Sequence, residues 1–260
     1  MTRAYNVIDA DGHILEPLDL WDRYIDPDFR ERRPRFVIDE NGKERLSVEG
    51  KLLGNPRGIG SLGSVGVRQG IVKANTLKYA EGRPGGFDPH ARIVDMDADG
   101  IDAAFLYPSL GLFAGAVEDP ALAAAMCRAY NRWLADYCAP YPERLFGVAM
   151  LPMQSVDLAV DEMRYAREKL GMRGGFLRPN PYHGKKMISD RCTSRLRPMV
   201  ADGSDTTLTQ RSHSIAWSAR VSRDAGRARD RYFPRKRSAT GTATNDDVPA
   251  HRGGCPAATS

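Results

Sequence analysis

The stretch "VIDADGHILEP" (Val7–Pro17) sets β-branched Val7 and Ile8 ahead of Asp9, Asp11 and His13, three polar side chains spaced two apart. Side chains alternate along a strand, so this spacing predicts a short strand over residues 5–13 with the three polar groups on one face. If that strand opens a parallel sheet, its C-terminal end is where such folds place their chemistry. An imidazole and a carboxylate two residues apart make a reasonable pair of donors for a divalent metal. The same residues also read as a strand closing in an Asp-Gly turn beside a solvated histidine.

The pattern downstream decides whether there is a parallel sheet. "DPHARIVDMDADG" predicts a helix that starts after Asp88 and is closed by Gly100. "IDAAFLYPS" (Ile101–Ser109) reads as a buried strand. Asp119 and Pro120 open a strong helix as N-cap and first helical residue, with Leu122, Met126, Tyr130, Trp133 and Tyr137 on one face. "RLFGVAMLPMQ" (Arg144–Gln154) predicts a third strand. "SVDLAVDEMRYAREKLG" (Ser155–Gly171) predicts a helix with Leu158, Met163, Ala166 and Leu170 inward. "RGGFLRPNP" (Arg173–Pro181) predicts a fourth strand and its exit loop. Nearly apolar strands alternating with helices argue for an α/β protein with βαβ crossovers, either a doubly wound sheet or a (β/α) barrel. No Gly-x-Gly-x-x-Gly follows the first strand, which counts against a dinucleotide fold.

Other motifs weigh less. Residues 14–90 read as mostly irregular, and glycine-rich Leu52–Gly70 as a flexible loop or lid, because it lacks the Gly-Lys-Ser/Thr ending of a phosphate cradle. Asp-Ala-Asp-Gly recurs at Asp97–Gly100, but the twelfth position of a calcium loop starting at Asp95 is Leu106. These acids therefore read as the solvated end of a helix. Beyond the fourth strand, Arg178 and Asn180 share a face and His183 follows. Arg178 suits bidentate contact with a substrate carboxylate, and equally suits a surface loop.

The chain has 260 residues, 42% of them hydrophobic, and a net charge of +5. The charge is uneven: residues 1–190 hold 25 Lys and Arg against 27 Asp and Glu, and residues 191–260 hold 13 against 6. The last 70 residues contain no Glu, and only seven Leu, Ile, Val or Phe, under the roughly 20% level below which chains stop folding. A nucleic-acid binder working through this arginine-rich tail is one reading of the charge. The tail has few aromatics (Trp217, Tyr232, Phe233) and no recognisable motif. The four cysteines, Cys127, Cys138, Cys192 and Cys255, form no CxxC pair, as expected of a cytoplasmic protein. No apolar leader or bilayer-length segment is expected, and so no membrane partner.

Taken with "LDLWDRYIDP", "GRPGGFDPHARIVDMDADGID", "EDPALAAAMCRAYNRWLADYC", "PERLFGVAMLPMQ" and "GMRGGFLRPNP", the segment "DADGHILEP" resembles the amidohydrolase-related family. These are metal-dependent (β/α)8 barrels that include aminocarboxymuconate-semialdehyde decarboxylase and related aromatic-acid decarboxylases. The resemblance covers most of residues 5–185. It implies an incomplete TIM-type barrel of the first four βα units over residues 1–190, with an irregular insertion at about 14–90. It implies that Asp11 and His13 hold a divalent metal, zinc in the first instance, although the family more often has His-x-His or Glu-x-His there. Arg178 and Asn180 would bind substrate, and the role of Glu16 is unassigned. The implied reaction is hydrolysis or non-oxidative decarboxylation of a small carboxylic acid, with an inactive, ligand-binding family member as the alternative.

The family's further ligands, a His near the end of the fifth strand and an Asp near the end of the eighth, have no recognisable counterpart here. The resemblance fades near Asp190, where composition changes. Out-of-frame translation of a G+C-rich gene would produce such a tail, and residues 191–260 are expected to have low order. An open sheet edge would favour homo-oligomers.

Overall fold

Three capped helices and four parallel strands organise the chain, with the first strand (Ile8–His13) more exposed than the buried strand the sequence suggests. The computed structural model describes residues 5–54, 56–63 and 78–177, and the backbone of 206–211 and 214–219. All of these belong to one unit, Met1–Arg223. In chain order they form β1 (Ile8–His13), α1 (Leu20–Tyr24), β2 (Arg35–Ile38), β3 (Glu44–Val48), β4 (Lys51–Leu53), α2 (Gly60–Gly63), α3 (Pro84–Phe87) and α4 (Pro89–Ala98). Then come β5 (Ala103–Tyr107), α5 (Pro120–Cys138), β6 (Leu145–Met150), α6 (Val156–Glu168), β7 (Gly174–Leu177), β8 (Thr206–Arg211) and β9 (Ser214–Ala219).

β1, β5, β6 and β7 pair in that order, all parallel. The order follows the chain without reversal, as in a barrel, whereas a doubly wound sheet reverses at a switch point. One face of the sheet carries Ala104 and Leu106, which join the core with Met126, Tyr130 and Leu134 of α5. The other carries Phe105, Tyr107, Val148 and Phe176. Gly147 of β6 lies close under α5, where an added Cβ would come 2.9 Å from Leu134. The predicted stripe of α5 (Leu122, Met126, Tyr130, Trp133, Tyr137) is buried throughout.

The helix ends follow their caps. Asp88 accepts from the amides of His90 and Ala91 to start α4, and Gly100 turns away after it with φ of +70°. Ser155 caps α6, and Gly171 has φ of +65°. Only glycine adopts such angles without strain. Asp97 and Asp99 are exposed, as expected, while Asp95 pairs with Arg83 at 2.6 Å.

Two parts of the chain differ from the sequence reading. The stretch expected to be irregular contains an antiparallel sheet, β2–β3–β4. Its strands are short and flanked by Pro and Gly, which conceals their alternation. Its first turn is set by Asp39, whose carboxylate accepts from the amides of Asn41 and Lys43 and pairs with buried Arg45 at 3.2 Å. Trp21, Phe36, Tyr79 and Phe87 meet ring to ring in sequence, Phe36 stacked on Tyr79 and Phe87 edge-on to it, and tie this sheet to the main core.

The expected low-order tail lies outside the described residues except for β8 and β9. These form a hairpin whose β9 strand pairs antiparallel with β7. Their Thr, Ile and Trp content favours strand, over too few residues to give a clear period. Leu52–Gly70 is also split: Leu52 and Leu53 lie in β4, and 64–70 lie outside the described residues.

The cap of α5 offers a test. Asp119 accepts from the amide of Ala121 at 2.9 Å and from Arg32 at 2.7 Å, and the Arg32 contact foremost holds its carboxyl below the usual range. Asp119→Ala should lower stability to urea by about 1 kcal/mol at neutral pH. The folded state favours the ionised carboxylate, so the stabilisation is complete above the ordinary Asp range. It is lost as pH falls through the depressed value. The gap between variant and wild type should therefore close in acid, and a pH-independent gap would contradict the assignment.

Candidate metal and substrate site

The C-terminal end of β1 is fastened from several directions. The amide of Ile14 donates to the carbonyl of Tyr107 at 3.1 Å, and that of Leu15 to Gly86 at 3.0 Å. Arg92 of α4 reaches the His13 carbonyl at 2.8 Å. The His13 ring is held as well, with Nδ1 3.0 Å from the Pro108 carbonyl and 3.4 Å from the Ser109 hydroxyl. A carbonyl only accepts, so this contact makes Nδ1 the protonated nitrogen and leaves the lone pair on Nε2.

The sheet register corrects one part of the sequence reading. Asp9 pairs with Ala104 but Gly12 pairs with Leu106, so β1 carries an irregularity between them. The extra residue puts Asp9 on the helix-facing side with Ala104, while His13 pairs with Tyr107 on the opposite side. Asp9, Asp11 and His13 therefore do not share one face. The Asp9 carboxylate instead accepts from the Asp11 amide at 3.0 Å. Asp11 lies within the irregular stretch and His13 after it, and both are exposed. Burial, then the charges of Asp11 and Asp9, push the Tyr107 hydroxyl upward.

Glu16, whose role the sequence left open, is fully buried. One carboxylate oxygen accepts from the amides of Ser109 (3.0 Å) and Gly111 (2.9 Å), and the other from Leu110 (2.9 Å). Burial pushes this carboxyl up, and the amides draw it back. The hydroxyls of Tyr79 and Tyr130 are buried within reach of its charge. A signal for Glu16 does exist in the sequence: one acid inside the apolar run "ILEPL" (Ile14–Leu18).

A recess at the same end of the sheet is lined by Gly111, Leu112, Met150, Gln154 and Phe176. Arg178 and Asn180 directly follow β7 in the chain and lie outside the described residues, as do His183, His213 and His251. Among the described residues no three His, Cys, Asp or Glu side chains group as a complete metal cage. Asp11 and His13 are of the donor types a divalent metal takes, and two such groups do not make a complete site. Cys127 and Cys138 are free and buried, and no described helix is long and apolar enough to cross a membrane.

A fold built this way defines a class, a four-strand part of a (β/α)8-type barrel. The family follows: residues 8–198 match the model of the amidohydrolases, and the chain belongs to that family. Its fold is similar to that of an amidohydrolase from Mycobacterium avium subsp. paratuberculosis K-10, at 20% identity and a TM-score of 0.58. That match covers 78% of this chain and 58% of the mycobacterial one, so the chain spans little more than half of its relative's length.

Two further matches have lower TM-scores. A 5-carboxyvanillate decarboxylase from Novosphingobium aromaticivorans, complexed with manganese, is 20% identical at a TM-score of 0.49, covering 76% of this chain and 48% of that one. A 2,6-dihydroxybenzoate decarboxylase from Rhizobium is 19% identical at 0.42, covering 76% and 47%.

The packing around Gly12 can be tested by adding one methyl group. A Cβ there would stand 2.8 Å from Asp9 Oδ2, 3.0 Å from Arg92 and 3.1 Å from the Phe105 carbonyl. Gly12→Ala should cost about 1–3 kcal/mol in urea unfolding. A neutral effect would show that β1 does not carry this irregularity.

Proposed function

We propose that this chain carries the first-strand donors of a metal-dependent amidohydrolase site, with Asp11 and His13 holding a divalent ion such as zinc or manganese. The observation that carries this reading is the His13 ring, fixed through Nδ1 at the C-terminal end of a parallel strand with Nε2 left as a donor. A bound divalent ion would supply a Lewis acid and an acidified water. His13 would present Nε2, Asp11 would add a negative charge, and Arg178 with Asn180 would orient a substrate carboxylate. The reaction would be hydrolysis or non-oxidative decarboxylation of a small carboxylic acid, aromatic ones included.

The incomplete donor set among the described residues favours a second reading, a family member that binds ligand without turnover. The tail bears on the choice. The family match stops at residue 198, near the change in composition at Asp190, and this supports a shifted reading frame beyond that point. Sequencing the gene decides it: a shifted frame should encode further strand–helix units, and their absence would refute the shift.

The metal reading is tested by titrating the full chain with Mn2+ and Zn2+. Wild type should bind one ion, and His13→Ala should weaken binding by about 10- to 100-fold or abolish it. Equal binding by both would remove His13 from the site.

A further inference from the structure

Three connected contacts lie behind His13. Its Nδ1 meets the Pro108 carbonyl at 3.0 Å. Pro108 is followed by Ser109, Leu110 and Gly111, whose three successive amides converge on the buried Glu16 carboxylate. Glu16 lies three residues after His13 and cannot reach the ring's partner itself, but it sets where the next turn of chain runs. Gly111 fits this close approach, because a Cβ on it would be 2.7 Å from Met150 Sδ, 2.8 Å from Pro108 Cβ and 3.4 Å from Glu16 Oε1.

From this geometry we infer that Glu16 is a positioning residue: by gathering the amides of residues 109–111 it fixes the Pro108 carbonyl, which locks His13 as the Nδ1–H tautomer. The consequence is chemical. An imidazole that changes tautomer offers a metal either nitrogen, whereas a locked ring offers Nε2 alone. Ser109 Oγ at 3.4 Å is too distant and too free to rotate to fix the proton by itself. Glutamine at 16 would turn an amide NH2 toward at least one of three N–H donors, so an isosteric change of one atom should release the turn. The purpose of the lock rests on the metal reading above. The lock itself does not.

The test is long-range 1H–15N correlation on 15N-histidine-labelled full-length chain, at a pH where the rings are neutral. The His13 signals are assigned by their loss in His13→Ala. Wild type should show one tautomer, with a pyrrole-type Nδ1 and a pyridine-type Nε2. Glu16→Gln should lose that preference, with both shifts moving toward the mixture typical of free imidazole. Ser109→Ala, which leaves the carboxylate and the carbonyl in place, should keep the wild-type pattern.

A wild-type Nε2–H tautomer, or an unchanged His13 spectrum in folded Glu16→Gln, overturns the inference. Loss of the pattern in Ser109→Ala also overturns it, because the serine would then be the anchor. If Glu16→Gln does not fold, Glu16→Asp, one methylene short of the three amides, takes its place with the same expected loss. Titration with Mn2+ separates the two claims: a chain that binds no metal but shows a Glu16-dependent tautomer refutes the metal reading and supports the lock.

Discussion

The end of β1 and the turn after β5 are joined by one buried carboxylate. Glu16 has no access to water, and an unpartnered charge there would be strongly unfavourable. Three backbone amides of residues 109–111 supply its hydrogen bonds and cannot be replaced by solvent. The union is at the C-terminal end of the parallel strands, where side chains from different βα units must meet. Its companions are the Arg92 contact to the His13 carbonyl and the Pro108 contact to the His13 ring. Together they turn a strand end, ordinarily the first part of a strand to fray, into a fixed platform.

Much of the frame could be read directly from residue order. Asp88, Asp119 and Ser155 sit where a side-chain oxygen can satisfy free amides of a helix start, and each does so. The aromatic and aliphatic stripe of α5 follows from helical spacing alone, and β5, β6 and β7 follow from short apolar runs between helices. These are local consequences of chain chemistry. The barrel rather than the doubly wound order was not local: it came from family resemblance, and the strand order agrees with it.

What could not be read depends on partners distant in sequence. The irregularity in β1 exists because Asp9 and Gly12 must match Ala104 and Leu106, two residues apart, with three steps of their own. Period-two counting therefore placed Asp9 with His13, and pairing separates them. The role of Glu16 depends on amide partners more than ninety positions away, which its place in the motif does not reveal. The small sheet β2–β4 was hidden by its short strands, and its one clear signal, the Asp39 turn with Gly42 at φ of +70°, is of a kind common in loops. Arg178 and Asn180, read as substrate contacts, lie outside the described residues.

The central claim is that Glu16 ties the two strand ends together, and amide hydrogen exchange tests it at the atoms concerned. The amides of Ser109, Leu110 and Gly111 lie in a connection that would ordinarily exchange at loop rates. If Glu16 holds them, they should exchange as slowly as the paired amides of β5 and β6. Exchange at the rate of an exposed loop at all three positions would contradict the account.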